Sequence, residues 1–371
     1  CDKLGAWCRS HGIALTGHMK GEDTLETQAA SLGEAMRHYR QFQIPGVDVL
    51  CDRRLYTTVK QAQSASRQMG RNQVASEEYG VTNWDFDFAG HKMQGDWQAA
   101  LGVTGRVHHL AWMSMEGEAK RDFPASIFYQ SPWYREYATL ERYFSRIRMA
   151  METGRPVVHI GVIHPIESFW MVYGGADHKR EREWQETQFQ ELAEWLLFGL
   201  LDFDYISEGL LADMPEGENG LHFGEMCYQV ILIPELLTLR KSTLERLWRF
   251  QQDGGKVVFL GRVPEFVEAR RSDGVKHLAE RSLSLEMKQH KILEALEPQR
   301  EVEILDQEGS RSDEFLYQLR EYGDERWLFV ANGRKPQNRD EPKSQVWDIM
   351  VKGAFRIELW DAMNGTVVSA E

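Results

Sequence analysis

Cysteine is scarce in this chain. The four residues Cys1, Cys8, Cys51 and Cys227 show no paired CxxC spacing, which argues against a zinc site or a disulfide framework and favours a reducing compartment. Long apolar runs are missing as well. The best candidate, Trp195–Leu201, is flanked by acids and is too short to span a bilayer, so it reads as a buried helix. Positive charge is in the minority: 44 Lys and Arg stand against 57 Asp and Glu, a formal net charge of -13. Neither a nucleic-acid backbone nor an anionic membrane is the expected partner. Gly174-Gly175 and Gly254-Gly255 have no GxGxxG or GxxxxGK pattern around them, so no phosphate loop is read there. There is no internal repeat and no low-complexity tract. The start shows neither a signal peptide nor a methionine; it opens on Cys1-Asp2-Lys3 and is already helical by Leu4 to Arg9. A fragment or processed product is expected, whose start says nothing of export, and a cytoplasmic location is favoured.

What is present is a soluble, globular composition, with 42% hydrophobic and 27% charged residues over 371 positions. That length predicts two or three domains. Twelve tryptophans exceed what core packing needs, and sugar stacking is a common use of the surplus.

Residues 1–154 alternate strand and helix. Strands are predicted at Gly12–His18, Val47–Leu50 after a Pro45-Gly46 break, Gln73–Ser76 and Arg106–Met113. Helices are predicted over Leu25–Phe42, Thr57–Met69, up to Leu101, and over Trp133–Met151. Four such units make a parallel sheet. Half of an eight-stranded barrel is favoured over a doubly wound open sheet, because polar residues follow every strand and barrel strand ends converge on one mouth. Residues 155–310 read as a flavodoxin-like open sheet, with strands at Val157–Ile163, Tyr205-Ile206, Val230–Ile233 and Lys256–Gly261. From residue 311 the period changes to that of a β-rich module, with hairpins at Phe315–Ala331 and around Asn364-Gly365.

The most informative stretch is Ala75-Ser76-Glu77-Glu78-Tyr79-Gly80, followed by Trp84 and then by His109 and Trp112. A carboxylate at a strand end, aromatic faces and histidines for hydroxyl groups are what a sugar-cleaving barrel needs. Alternation puts Glu77 rather than Glu78 on a face with Gln73 and Ala75, and most of the weight for Glu77 as the catalytic carboxylate comes from the resemblance given below. His18, Glu22, Asp48, Trp84, His109 and Trp112 are the candidate substrate contacts. Against this stand plainer roles: a helix cap for Glu22, a structural pair with Arg53 or Lys92 for Asp48, a core place for the histidine and the tryptophans, and a solvated loop for Lys120-Arg121-Asp122. No metal site is predicted. A Cys227-His164-Glu167 hydrolase set is rejected, because Cys227 precedes its strand and no glycine-flanked elbow holds it.

Thr16-Gly17-His18 with Gly21-Glu22, Pro45–Leu50, Ser76–Gly80, Gly95-Asp96-Trp97, His109–Trp112 and Lys120–Pro124 together resemble the alpha-L-rhamnosidases of glycoside hydrolase family 106 and, more loosely, the beta-galactosidases of family 42. The likeness runs to about residue 265. It implies an α/β fold made of the C-terminal half of a (β/α)8 barrel over 1–154, an amidotransferase-like, flavodoxin-like domain over 155–310, and the start of a β-sandwich in the β-rich module over 311–371. It implies a bacterial glycosidase with Glu77 after the seventh barrel strand, as nucleophile or as base toward water. The partner carboxylate, after the fourth strand, has no counterpart here, so the fragment alone is expected to be inactive. No cofactor is evident; by resemblance alone a calcium ion is allowed. The expected partner is a carbohydrate, with a homo-oligomer helped by the second domain. The competing readings are a carbohydrate-binding or scaffolding fragment without chemistry and a flavodoxin-like binding module.

Overall fold

The computed structural model of the chain describes residues 1–117, 126–338 and 344–369. Lys120-Arg121-Asp122 lies outside them. The first unit is a parallel sheet of β1 (Thr16–Gly17), β2 (Ile44–Val49), β3 (Val74–Glu78) and β4 (Val103–His108), adjacent in chain order. Val47, Val49 and Val74 point to the helices and are buried. Of the opposite parity, Gly46 and Ala75 are buried, while His18, Asp48, Glu77 and Val107 are partly or wholly exposed. Helices thus bury one face of this sheet and leave the other open, which is rare for parallel strands.

The sequence misplaces several boundaries. Leu25–Phe42 is two short helices, Leu25–Ser31 and Ala35–Tyr39. Gly33 turns between them at φ +82, and the Gln28 side chain accepts from Ala35 N at 3.0 Å. Pro45-Gly46 does not break β2 but lies within it: Pro45 pairs with Gly17, and a Cβ on Gly46 would lie 2.5 Å from the Gly17 carbonyl oxygen. A residue without a side chain lets the strands approach there. β3 runs on to Glu78, so both carboxylates end a strand, and β4 stops at His108, so His109 and Trp112 belong to the loop after it.

The second unit is a five-stranded parallel sheet. Across it lie Leu283–Leu285, Lys256–Leu260, Val230–Ile233, Ile160–Ile163 and Phe203–Ile206. Numbered along the chain and read from the Phe203 edge, this order is 2-1-3-4-5. Ile160–Ile163 and Val230–Ile233 are continuous apolar runs and fully buried, as is Lys256–Leu260 after its first residue, as expected when both faces are covered.

The helix Tyr56–Gln68, which links β2 to β3, joins the two units. All of its residues are buried, polar ones included. It lies along the edge strand Phe203–Ile206 and caps it: Tyr205 N donates to Ser64 Oγ at 2.9 Å and Gln68 Nε2 donates to the Tyr205 carbonyl at 2.8 Å. The edge is closed without a further strand. Lys60 and Arg67 each reach Asp202 at 2.8 Å, and Arg67 reaches Asp204 at 3.1 Å. One apolar core runs through both units, taking in Val47, Val59, Trp97, Phe203 and Leu232.

The β-rich unit takes in Val302–Leu305, ahead of the expected start at residue 311, because that strand pairs antiparallel with Asp348–Val351. The hairpin Phe315–Tyr322 with Glu325–Asn332 also holds Arg155–Pro156. The carbonyl of Gly333, just beyond it, accepts from Arg54 Nε and from Tyr56 Oη, each at 2.9 Å. Among the described residues no helix is long and apolar enough to cross a membrane.

Candidate active site

β2 and β3 end level with each other and β1 somewhat earlier, and three side chains meet near these ends. Asp48 and Glu77 are register partners on adjacent strands, so parity sends both to the open face. His18, one residue past β1, bonds Glu77 Oε2 through Nε2 at 3.1 Å and lies 4.0 Å from Asp48 through Nδ1. All three are partly exposed, at 30–35% of their side chains. Burial holds the Asp48 carboxyl above the ordinary range; His18 opposes this and Glu77 adds to it. Lys92, one of the two expected partners of Asp48, binds Asp96 at 2.5 Å instead.

Glu22 stands beneath this group rather than in it, at 1% exposure. It accepts from Asp48 N at 3.0 Å, from Met19 N at 3.1 Å and from the Tyr39 hydroxyl. Its carboxyl is pushed up to about 7 by burial, against the lowering effect of those bonds. Glu22 therefore braces the backbone from which Asp48 and His18 project. Glu78 takes the opposite face, is fully buried, and is likewise pushed up to about 7 by burial, which Arg106 opposes.

The chain then turns sharply. Tyr79, Val81 and Asn83 have φ of 69, 58 and 65. The left-handed region is costly for side-chain-bearing residues, most of all for a β-branched valine. Such strain gathers where function fixes a backbone. Tyr79 is held by its buried ring, whose hydroxyl donates to the His91 carbonyl at 3.2 Å and meets Arg106 Nη1 at 3.2 Å. His109 rests against this turn; a Cβ on Gly80 would lie 2.7 Å from its ring. His109 also acts on Asp48 electrostatically. Trp84 and Trp112 meet edge to face, ring centres 6.3 Å apart. His108 faces away, bonding Tyr137 Oη at 3.0 Å and pairing with Glu141 at 3.2 Å. Trp133 gives its indole N–H to the Ser126 carbonyl.

Sequence reasoning missed Tyr39 as the support of Glu22, and Arg106 as the support of the turn. It also missed the strain at 79–83, which no residue type there announces. In the second unit the rejected set is dispersed: His164 bonds Gln61 at 3.0 Å, Glu167 binds Arg37 and Arg240, and Cys227 Sγ reaches the Asn219 carbonyl.

Donor atoms of His18, Asp48 and Glu77 lie within 4.8 Å of one another. A calcium ion takes six to eight oxygen ligands. One imidazole and two carboxylates do not fit that shell by themselves.

No protein-family model matches the sequence, and no curated protein matches it. Solved structures do. The fold is that of glycoside hydrolases. A rhamnosidase from Novosphingobium sp. PP1Y matches 99% of the chain at 15% identity with a TM-score of 0.72. A beta-galactosidase from Bacillus circulans sp. alkalophilus matches 90% at 15% identity and 0.52, and an exo-carrageenase from Bacteroides ovatus 78% at 12% and 0.53. The chain spans 35% of the length of the rhamnosidase, 52% of the beta-galactosidase and 41% of the carrageenase. At these identities the likeness is one of fold.

Proposed function

We propose that this chain is the C-terminal portion of a glycoside hydrolase of the rhamnosidase kind, and that Glu77 is one of its two catalytic carboxylates. In this reading the first sheet is half of a (β/α)8 barrel, the second a flavodoxin-like domain, and the β-rich unit the start of a sandwich. The observation that carries it is the meeting of Glu77, His18 and Asp48 at the carboxyl ends of three neighbouring parallel strands, where barrel enzymes keep their chemistry.

Within this arrangement each group has a task. Glu77 attacks the anomeric carbon or deprotonates the attacking water. His18 fixes the direction of its carboxylate. Asp48, His109 and the Trp84–Trp112 corner hold the sugar by its hydroxyls and its apolar face. Asp48 is not the second catalytic carboxylate: it is bound to the same imidazole on the same side as Glu77, whereas the acid must protonate the leaving oxygen from across the bond. That acid comes from the strands that cover the open face in the complete barrel, outside this chain.

The test uses the full-length protein. Glu77→Gln lowers turnover by several orders of magnitude with little change in substrate binding or melting temperature. Glu78→Gln keeps turnover near normal, because its side chain lies on the helix-covered face. Near-normal turnover in Glu77→Gln removes the proposal. Azide rescue of Glu77→Ala, giving the inverted glycosyl azide, assigns it as nucleophile rather than base.

A further inference from the structure

In the second sheet the chain order reverses between the strands Ile160–Ile163 and Val230–Ile233. Crevices beyond the carboxyl ends of parallel strands at such a point are where open sheets take ligands. A cavity of about 10 Å³ lies there, lined by Pro165, Gln185, Gln188, Tyr205, Pro234 and Glu235 among others. Gln185, Gln188 and Tyr205 are more than nine-tenths buried, and four of their polar atoms have no hydrogen-bond partner among the described residues: both amide atoms of Gln185, Oε1 of Gln188 and the Tyr205 hydroxyl. Orphaned buried polar atoms each cost free energy, and a group of them on residues that line one cavity is unusual.

The chemistry of the four atoms selects the ligand. Two amide oxygens need donors, one amide nitrogen needs an acceptor, and the phenol takes either role. A cation cannot accept and a carboxylate cannot donate, and burial penalises both. His164, packed on Tyr205 and Phe189, adds no charge, since burial pushes its imidazole down to about 3. Glu235, which lines the cavity, is bound by Arg262, which also reaches Glu181 at 2.9 Å on the helix that carries Gln185. From this geometry we infer that the second domain holds a binding site for a small neutral hydroxyl group, water or a short alcohol, between Gln185, Gln188 and Tyr205. The size of the cavity suits about one water molecule. This site stands apart from Glu77 and does not depend on the glycosidase reading.

Crystals of the full-length protein test it, examined at high resolution in buffer, after a methanol soak and under xenon pressure. An ordered oxygen within hydrogen-bond reach of Gln185 and Tyr205 in buffer is the expected result. A methyl lobe after the soak identifies a site that takes alcohols; an unchanged oxygen identifies a site for water; both carry the inference. A dry cavity, or one filled by xenon, overturns it, since apolar cavities stay dry and bind such probes. Tyr205→Phe gives a second reading in solution. It removes only the hydroxyl, so it lowers the melting temperature if that group is satisfied by the ligand and raises it if the group is orphaned.

Discussion

Glu77 and Glu78 are neighbours in sequence with opposite surroundings, and the difference is measurable as a function of pH. A buried carboxyl held at about 7 stays protonated in the folded protein while its unfolded counterpart ionises near 4.5. The folded state then binds more protons than the unfolded one, and stability falls as pH rises. Glu78 and Glu22 share this behaviour: their contribution is whole below the unfolded value and gone once pH passes about 7. Glu78→Gln removes the titration without removing bulk. Relative to the parent it is expected to gain on the order of 2 kcal/mol between roughly pH 5 and roughly pH 8, read from denaturant midpoints at the two values. Equal differences at both would show that Glu78 is ionised in the folded protein. The parity of β3 was legible from Gln73, Ala75 and Glu77 alone, because a strand has a period of two. The fate of Glu22 was not: its partners come from Tyr39 and from the backbone of Asp48, and no local pattern encodes so distant a bond.

Among the elements, the helix Tyr56–Gln68 shows the limit of reading by pattern. Its existence and its stop before Gly70 followed from spacing and from a glycine in the left-handed region. Its burial did not. Lysine, arginine, glutamines and serines suggest a wet face, yet their partners Asp202, Asp204, Tyr205 and Tyr228 lie in another unit. Asp202 is the clearest handle, since the buried Arg67 and Lys60 hold its carboxyl down at about 2 against the upward push of burial. Asp202→Asn leaves those cations short of a counter-charge and is expected to cost about 3–5 kcal/mol in denaturant melts. The depressed value means this contribution is present at neutral pH and lost only as pH falls toward 2. A cost under about 1 kcal/mol would mean that the pair behaves as if exposed. The short strands fared differently: β1 is only Thr16–Gly17, and the apolar run Gly12–His18 gave no sign that most of it would be irregular.

For the molecule as a whole, the open face of the first sheet is the governing feature. Helices cover Val47, Val49 and Val74, while Val107 on the other side is 54% exposed. Further apolar side chains are exposed on the terminal hairpin, among them Leu359, Trp360, Val367 and Val368. Such surfaces associate. The chain expressed on its own is expected to self-associate at micromolar concentration in sedimentation, and its Val107→Lys variant to do so less. A monodisperse monomer with one cooperative melt would argue that no further strands are needed to cover that face. The succession of parallel units was legible along the sequence because strands and helices alternate over most of it. The joining of the units was not, because it rests on pairs such as Gly333 with Arg54, far apart along the chain.

The wholly buried linking helix also bears on how such a protein can change through recombination. Genes exchange most easily at places where the encoded pieces meet through water. A crossover in the short connection near Arg155–Pro156 looks harmless on a sequence map, yet it would hand Lys60 and Arg67 to a neighbour without Asp202 and Asp204, and leave the Phe203–Ile206 edge bare. Chimeras cut there should fail to accumulate as folded protein, while cuts in exposed loops of the β-rich unit should be tolerated. The first two units are therefore expected to be engineered successfully only as a single piece.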